Sequence, residues 1–328
     1  MAQSGGQSFE RERWVDLAEI DHRGFYYGVA ESPSFIPLYG NGLVHIEHID
    51  LECDAEPDGS REDPRSQDAE RRLNVMKDAL RAEHEEANRA FFDTPLVRLL
   101  SWQPPVSAAT PLRIKAERVS HQTYAAATTL LRRDDGPLRE DFEVTPRRFD
   151  NPIVRGALGV ELAVITSDGK LVLGHRGDAS TDYRRKIVVS FGEGIDPRFD
   201  AEPHDDRLLN PRLTVARGLK EEFGIEADGS SAVFLALGAE LTRMDPDLLG
   251  YIRVPHTSSE LQGSLLAGRA RDRWETQTVT FIDFSPDSVA DLLAGSLRGD
   301  LTPPTAMNLV FALSHLFGES ETERAMAR

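Results

Sequence analysis

The residues with the clearest chemistry are two adjacent carboxylates, Glu221 and Glu222, which stand just before a glycine at position 224. Successive residues of a helix are about 100° apart, so both carboxylates can reach one metal cluster from neighbouring positions. Arg217 lies four residues before Glu221, a spacing that lets it pair with a carboxylate and hold its rotamer. Hard carboxylate oxygens suit Mg²⁺ or Mn²⁺, which neutralise a diphosphate and activate water. The stretch therefore predicts a divalent-metal site for a phosphate-bearing substrate.

The helix that must carry these groups is predicted from its two ends. Asn210 is a favourable N-cap, Pro211 suits the first helical position, and Gly224 suits the residue after the last turn. Apolar residues recur between them at a spacing of three or four: Leu213, Ala216, Leu219 and Phe223. We therefore expect an amphipathic helix with both carboxylates in its last turn.

Strand patterns surround this helix. A hairpin is expected before it, with strands at 157–166 and 171–176 joined by the turn 167–170, and a third strand at 187–190 leads into Gly192-Glu193-Gly194. Further strands are expected near 233–237, 248–254 and 279–284, and a last helix at 305–317. Helices interleaved with a mixed sheet predict an α+β domain of the α/β/α sandwich type.

Together, the hairpin, the glycine-rich turn and the helix resemble the Nudix hydrolases, whose signature is G-x5-E-x7-R-E-U-x-E-E-x-G-U, with U aliphatic. The residues in register are Arg217, Leu219, Glu221, Glu222, Gly224 and Ile225. The resemblance implies the Nudix fold and Mg²⁺- or Mn²⁺-dependent hydrolysis of a diphosphate bond. It implies metal ligation by Glu221 and Glu222, catalysis by Glu222, and structural support from Arg217.

Two departures from the signature stand out. The position after Arg217, a glutamate in the family, is Gly218, and the position eight residues before Arg217 is Leu209 rather than glutamate. Arg217 lies 23 positions after Gly194 (217 − 194), against 14 in the signature, so about nine residues are inserted within 198–210. One expected carboxylate is thus absent, and we take Glu193 as the candidate replacement ligand.

Other site residues follow from the resemblance. Arg176, at the end of the hairpin, is expected to contact phosphate, with a solvated strand end as the alternative. Gly192 and Gly194 are expected to bind substrate. Glu275 is the candidate for a downstream carboxylate that acts as ligand or base, and Glu240 is its rival. Two further acidic or histidine-bearing stretches, His45 to Asp50 and Glu85-Glu86, are more simply solvated surfaces.

The wider chain is similar to the UDP-sugar diphosphatase-like branch of this family over residues 85–318. The similarity rests on 90–95 with Arg98-Leu99, on 120–124, and on the hairpin at 158–169. It implies a nucleoside-diphosphate-linked small molecule as substrate. We expect an N-terminal α+β extension at 1–110 with short strands and a helix near 68–92, a Nudix-like domain at 111–318, and a frayed polar tail at 319–328.

Composition limits the partners and the compartment. The net charge of −17 argues against binding to nucleic-acid polymers, which need clustered Lys and Arg. No apolar run reaches the length of a membrane span, and a single cysteine, Cys53, fits a reducing cytoplasm. A homodimer is compatible with the sequence. The alternative to hydrolysis is a degenerate Nudix-fold domain that binds a nucleotide as a sensor or interaction module.

Overall fold

The protein is an α+β protein, shown by a computed structural model that describes residues 25–32, 35–54, 64–86, 93–107, 110–132, 156–178, 183–240, 245–271 and 276–328. The helices are α1 Pro64–Glu86, α2 His121–Arg132, α3 Pro211–Phe223, α4 Ser258–Leu266, α5 Pro286–Ala294, α6 Pro303–Phe317 and α7 Glu319–Met326. The strands are β1 Phe25–Tyr27, β2 Ala30–Ser32, β3 Phe35–Tyr39, β4 Ile49–Asp54, β5 Pro95–Gln103, β6 Leu112–Ser120, β7 Gly159–Ile165, β8 Lys170–Arg176, β9 Ile187–Val189, β10 Phe191–Gly194, β11 Ala201–Glu202, β12 Asp205–Leu209, β13 Val233–Glu240, β14 Asp245–Arg253 and β15 Thr276–Asp283.

The larger sheet is mixed and has helices on both faces. Its strand order is β15-β8-β7-β14-β13-β3, with β10 paired to β7 and β9 to β8, and the β7–β14 pair is parallel. Alternate residues of β7 point to opposite faces. Leu162 packs in one core cluster with Leu219 of α3, whereas Ala163 packs in a second cluster with Met307 of α6. This sheet therefore separates two apolar layers, and α3 lies on only one of them.

Ser190 marks the point where the chain leaves β9 and begins β10. Its backbone is in the left-handed region, with φ of 56°, which is unusual for a residue other than glycine. The buried hydroxyl accepts from Val164 N at 2.6 Å and donates to Val172 O at 2.7 Å. These bonds hold the crossing that carries the chain from the β8 side to the β7 side, and so place the strand that bears Glu193.

The smaller sheet has the order β11-β12-β4-β6-β5 and combines two distant parts of the chain. The strands β11 and β12 lie in the segment 198–210, where the resemblance to the signature predicts an insertion, and β12 pairs antiparallel with β4 through Leu209 and Leu51. The insertion therefore joins the N-terminal sheet to the chain just before α3.

The expected division at residue 110 stays a prediction. β5 and β6, which lie on either side of it, pair with each other, and β3 pairs with β13 in the larger sheet.

The C-terminal tail does not fray, contrary to expectation. Residues 319–326 form α7, in which Met326 is 1% exposed and its carbonyl accepts from Val29 N at 2.9 Å. Polar residues at the end of a chain suggest fraying, but here Ala325 and Met326 are buried in the core cluster on the α6 side. The long helix expected near 68–92 corresponds to α1, Pro64–Glu86, and residues 87–92 lie outside the described part. Among the described residues, no helix is long and apolar enough to span a membrane.

Candidate functional site

The ends of α3 are those that the sequence predicts. The Asn210 side chain accepts from Arg212 N at 2.9 Å, and Pro211 occupies the first turn. Gly224 follows the helix in the left-handed conformation, with φ of 64°, and its N–H donates to Lys220 O at 3.0 Å. A Cβ at Gly224 would lie 2.6 Å from Cβ of Arg269, so both conformation and space require glycine. Glu221 and Glu222 are thereby fixed in the last turn.

Arg217 organises the site by contacting three carboxylates. Its Nη1 donates to Oε1 of Glu193 at 2.8 Å and to Oε2 of Glu221 at 3.3 Å. Its Nη2 donates to Oδ2 of Asp200 and to Gly194 O, both at 2.8 Å. The structural support predicted for Arg217 therefore has a definite geometry: it binds the Glu193 and Glu221 side chains at a single guanidinium nitrogen.

Asp200 is the residue that sequence reasoning missed. It is 0% exposed and accepts from Asp196 N and Thr214 Oγ1, both at 2.8 Å, in addition to Arg217. Counting back from Arg217 leads to Leu209, whereas counting forward from Gly194 through G-x5-E leads to position 200. Asp200 lies 17 positions before Arg217 (217 − 200) against 8 in the signature, so the insertion lies between these two residues. It contains the β11–β12 hairpin.

The glycine at position 218 has a packing reason. A Cβ there would lie 2.7 Å from Cε2 of Phe191, closer than real contacts allow, and 3.0 Å from its Cδ2, which is unusually tight. It would also lie 3.4 Å from Cβ of Glu193. The ring of Phe191, which is 0% exposed, thus occupies the space of the missing side chain, and Glu193 extends from the strand beside it.

The two adjacent carboxylates predicted from the sequence lie in different environments. Glu221 points to Arg217 and its side chain is 25% exposed, whereas Glu222 is 2% exposed and accepts from Thr276 Oγ1 at 2.8 Å. Thr276 is the cross-strand partner of Arg176, so the backbone of Arg176 lies next to the residue that donates to Glu222. Arg176 is half-buried.

Of the remaining predicted residues, two lie on β10, one lies at the end of β13, and one is outside the described part of the chain. Gly192 is exposed and pairs with Glu161 of β7, and the carbonyl of Gly194 binds Arg217. Glu240 is 1% exposed at the end of β13, two strands from β7, and is not among the residues that contact Arg217. Glu275 lies outside the described residues.

The electrostatics of the site are dominated by excess negative charge. Burial by itself would lower the pKa of Arg217, but the hydrogen bond to Asp200 and the charges of Glu193 and Asp200 outweigh it and raise the pKa. The one guanidinium of Arg217 contacts the three carboxylates of Glu193, Asp200 and Glu221, of which Glu193 and Glu221 are partly accessible. Such a site attracts cations.

The donor chemistry suits a hard divalent ion, although the side chains are arranged around Arg217. Glu193 and Glu221 offer carboxylate oxygens from two different elements at one point, which is the kind of ligand that Mg²⁺ and Mn²⁺ take. Within the described ranges, no group of three or more His, Cys, Asp or Glu side chains is placed to hold a metal. Metal binding would require Glu193 and Glu221 to turn from the guanidinium towards the ion.

Comparison with known proteins gives little similarity. No protein-family model and no curated protein matches the chain. A crystal structure of DR0079 from Deinococcus radiodurans is similar to 47% of this chain and 90% of its own, with 15% identity and a TM-score of 0.30. A TM-score of 0.30 is too low to establish a shared fold.

Proposed function

We propose that this protein is a Nudix-type hydrolase that cleaves the diphosphate bond of a nucleoside-diphosphate derivative with Mg²⁺ or Mn²⁺. The observation that carries the proposal is the position of Glu193. Its side chain begins beside the space that the signature glutamate would need at Gly218, and it meets Glu221 at Arg217. A strand residue thus supplies the carboxylate that the helix lacks.

The proposed roles follow from the contacts. Glu193 and Glu221 would hold the cation, which would supply neutralisation of the diphosphate charge and activation of water. Arg217 sets the orientation of both carboxylates, and Asp200 fixes Arg217 from its buried side. Glu222 is the proposed base, and its bond with Thr276 orients the carboxyl group.

Substrate binding and cellular context are also proposals. Arg176 would contact phosphate from the strand next to Thr276, and Gly192 and Gly194 would let the substrate approach the backbone. Glu275 stays a candidate base or ligand. We further propose a nucleotide sugar or similar small molecule as substrate, a cytoplasmic location, and a chain that can form a homodimer.

A second function, nucleotide binding without hydrolysis, is favoured by one observation. Glu222 is 2% exposed and accepts a hydrogen bond from Thr276, so little of its carboxylate faces solvent in this arrangement. In that case the excess charge at Glu193 and Glu221 would serve to bind a ligand–cation complex, and no phosphate would be released.

Hydrolysis assays on matched variants test the proposal. We expect the unchanged protein to release phosphate or nucleoside monophosphate from at least one nucleotide sugar, dinucleotide or triphosphate when Mg²⁺ or Mn²⁺ is added. Glu193→Gln and Glu221→Gln should each lower kcat/KM by about 100-fold, because each removes a charged oxygen ligand. Glu85→Gln, in an exposed acidic pair on α1, is the control and should leave kcat/KM unchanged.

The outcomes separate the two functions. Ligand binding that needs Mn²⁺, with no product from any member of the panel, would favour the binding function over hydrolysis. Hydrolysis that is equally fast in Glu193→Gln would contradict the role of Glu193.

A further inference from the structure

A groove of about 560 Å³ lies beside the C-terminus of α3, and its lining residues do not include Glu193, Asp200 or Glu221. Its walls are the chain around Gly224 and one face of α4, where Glu260, Gly263 and Ser264 lie at helical spacing. Its volume is within the range of small-molecule sites in proteins. None of the residues predicted to catalyse, to bind substrate or to hold a metal lines it.

Gly263 keeps the groove open. Glycine is unfavourable inside a helix and usually has a packing reason there. A Cβ at Gly218 would collide with Phe191, but a Cβ at Gly263 would meet nothing within 4 Å. Neither close packing nor a left-handed backbone requires glycine at this position, and a side chain there would extend into the groove.

The carboxylates of the groove already have partners. Glu260 accepts from the N–H and the hydroxyl of Thr257, at 2.8 and 2.9 Å, and these bonds lower the pKa of Glu260. Glu226 pairs with Lys220 at 3.0 Å.

The basic groups of the groove are less engaged, although His256 interacts electrostatically with Glu260. Over the described ranges, Arg269 makes no ion pair, and the buried Nδ1 of His256 has no hydrogen-bond partner. The exposed guanidinium of Arg269 is therefore the group that an anionic ligand can bind.

We propose that this groove is a second ligand site, which binds a small molecule bearing a phosphate or carboxylate group. Arg269 binds the anionic group, and the space above Gly263 holds the remainder of the molecule. The site is separate from the carboxylates of the proposed hydrolase, so it stands or falls independently of that function.

Titration calorimetry with inorganic phosphate in metal-free buffer tests the site. The full chain should bind phosphate with a dissociation constant of about 1 mM or tighter. Arg269→Gln should weaken binding by at least about tenfold, since a guanidinium–phosphate contact is lost. Gly263→Leu should weaken binding of a bulkier ligand, phenyl phosphate, more than that of phosphate itself.

Arg271→Gln is the matched control, because Arg271 is an exposed arginine two residues further along the chain. It should change the dissociation constant by less than about twofold. Far-ultraviolet circular dichroism of each variant verifies the fold. The proposal is overturned if the unchanged protein does not bind phosphate, or if Arg269→Gln and Arg271→Gln bind it equally.

Discussion

Replacing Gly218 by glutamate is expected to lower the free energy of unfolding by about 3 kcal/mol or more, although it restores the residue type of the signature. The Cβ alone would lie 2.7 Å from the ring of Phe191, which is fully buried and cannot move aside without leaving a void. The carboxylate would also be forced next to Glu193, whose charge has the same sign. Urea titration followed by circular dichroism measures the loss.

Gly263→Ala is the control for this substitution. It also replaces a glycine inside a helix, but its Cβ meets nothing, so it should raise the free energy of unfolding by up to about 1 kcal/mol. If Gly218→Glu were as stable as the unchanged protein, Phe191 would not be the reason for the glycine, and Glu193 would not be needed as a substitute.

Replacing Arg217 by glutamine is expected to cost about 3 to 5 kcal/mol. Asp200 is 0% exposed and would keep only the Asp196 N–H and the Thr214 hydroxyl as donors. Its charge would then be buried without a cationic partner. Glu193 and Glu221 would lose the same cation, but they are more accessible to water, so most of the cost should come from Asp200.

A double-mutant cycle separates this effect from a general loss of packing. Arg217→Gln combined with Asp200→Asn should recover part of the stability, because the uncompensated charge is removed. Lys220→Gln, on the exposed face of the same helix, should stay within about 0.5 kcal/mol of the unchanged protein. A cost below about 1 kcal/mol for Arg217→Gln, with no recovery in the double variant, would contradict the central position given to Arg217.

The parts of the site that the sequence predicts depend on local signals. Asn210, Pro211 and Gly224 define the ends of α3 because caps are set by residues in direct contact along the chain. The hairpin of β7 and β8 follows from a short turn between two apolar runs. Asp200 could also have been found from the sequence, because the G-x5-E spacing of the signature leads from Gly194 to position 200.

The parts that the sequence does not predict depend on distant contacts. Alternation and apolar runs indicate a strand but not its partner, so the pairing of β12 with β4 and of β3 with β13 could not be anticipated. A helical projection separates Glu221 from Glu222 by about 100° without showing which is buried. The buried carboxylate, that of Glu222, accepts a hydrogen bond from Thr276, which lies 54 positions further along the chain. The reason for glycine at position 218 is likewise a distant residue, Phe191.

Calorimetric titration with Mn²⁺ tests the central claim most directly, namely that Glu193 supplies the carboxylate missing from α3. The unchanged protein should bind at least one Mn²⁺ per chain, and Glu193→Gln should weaken that binding by at least about tenfold while Glu85→Gln leaves it unchanged. Mn²⁺ binding that is equally tight in Glu193→Gln, or absent from the unchanged protein, would contradict the claim.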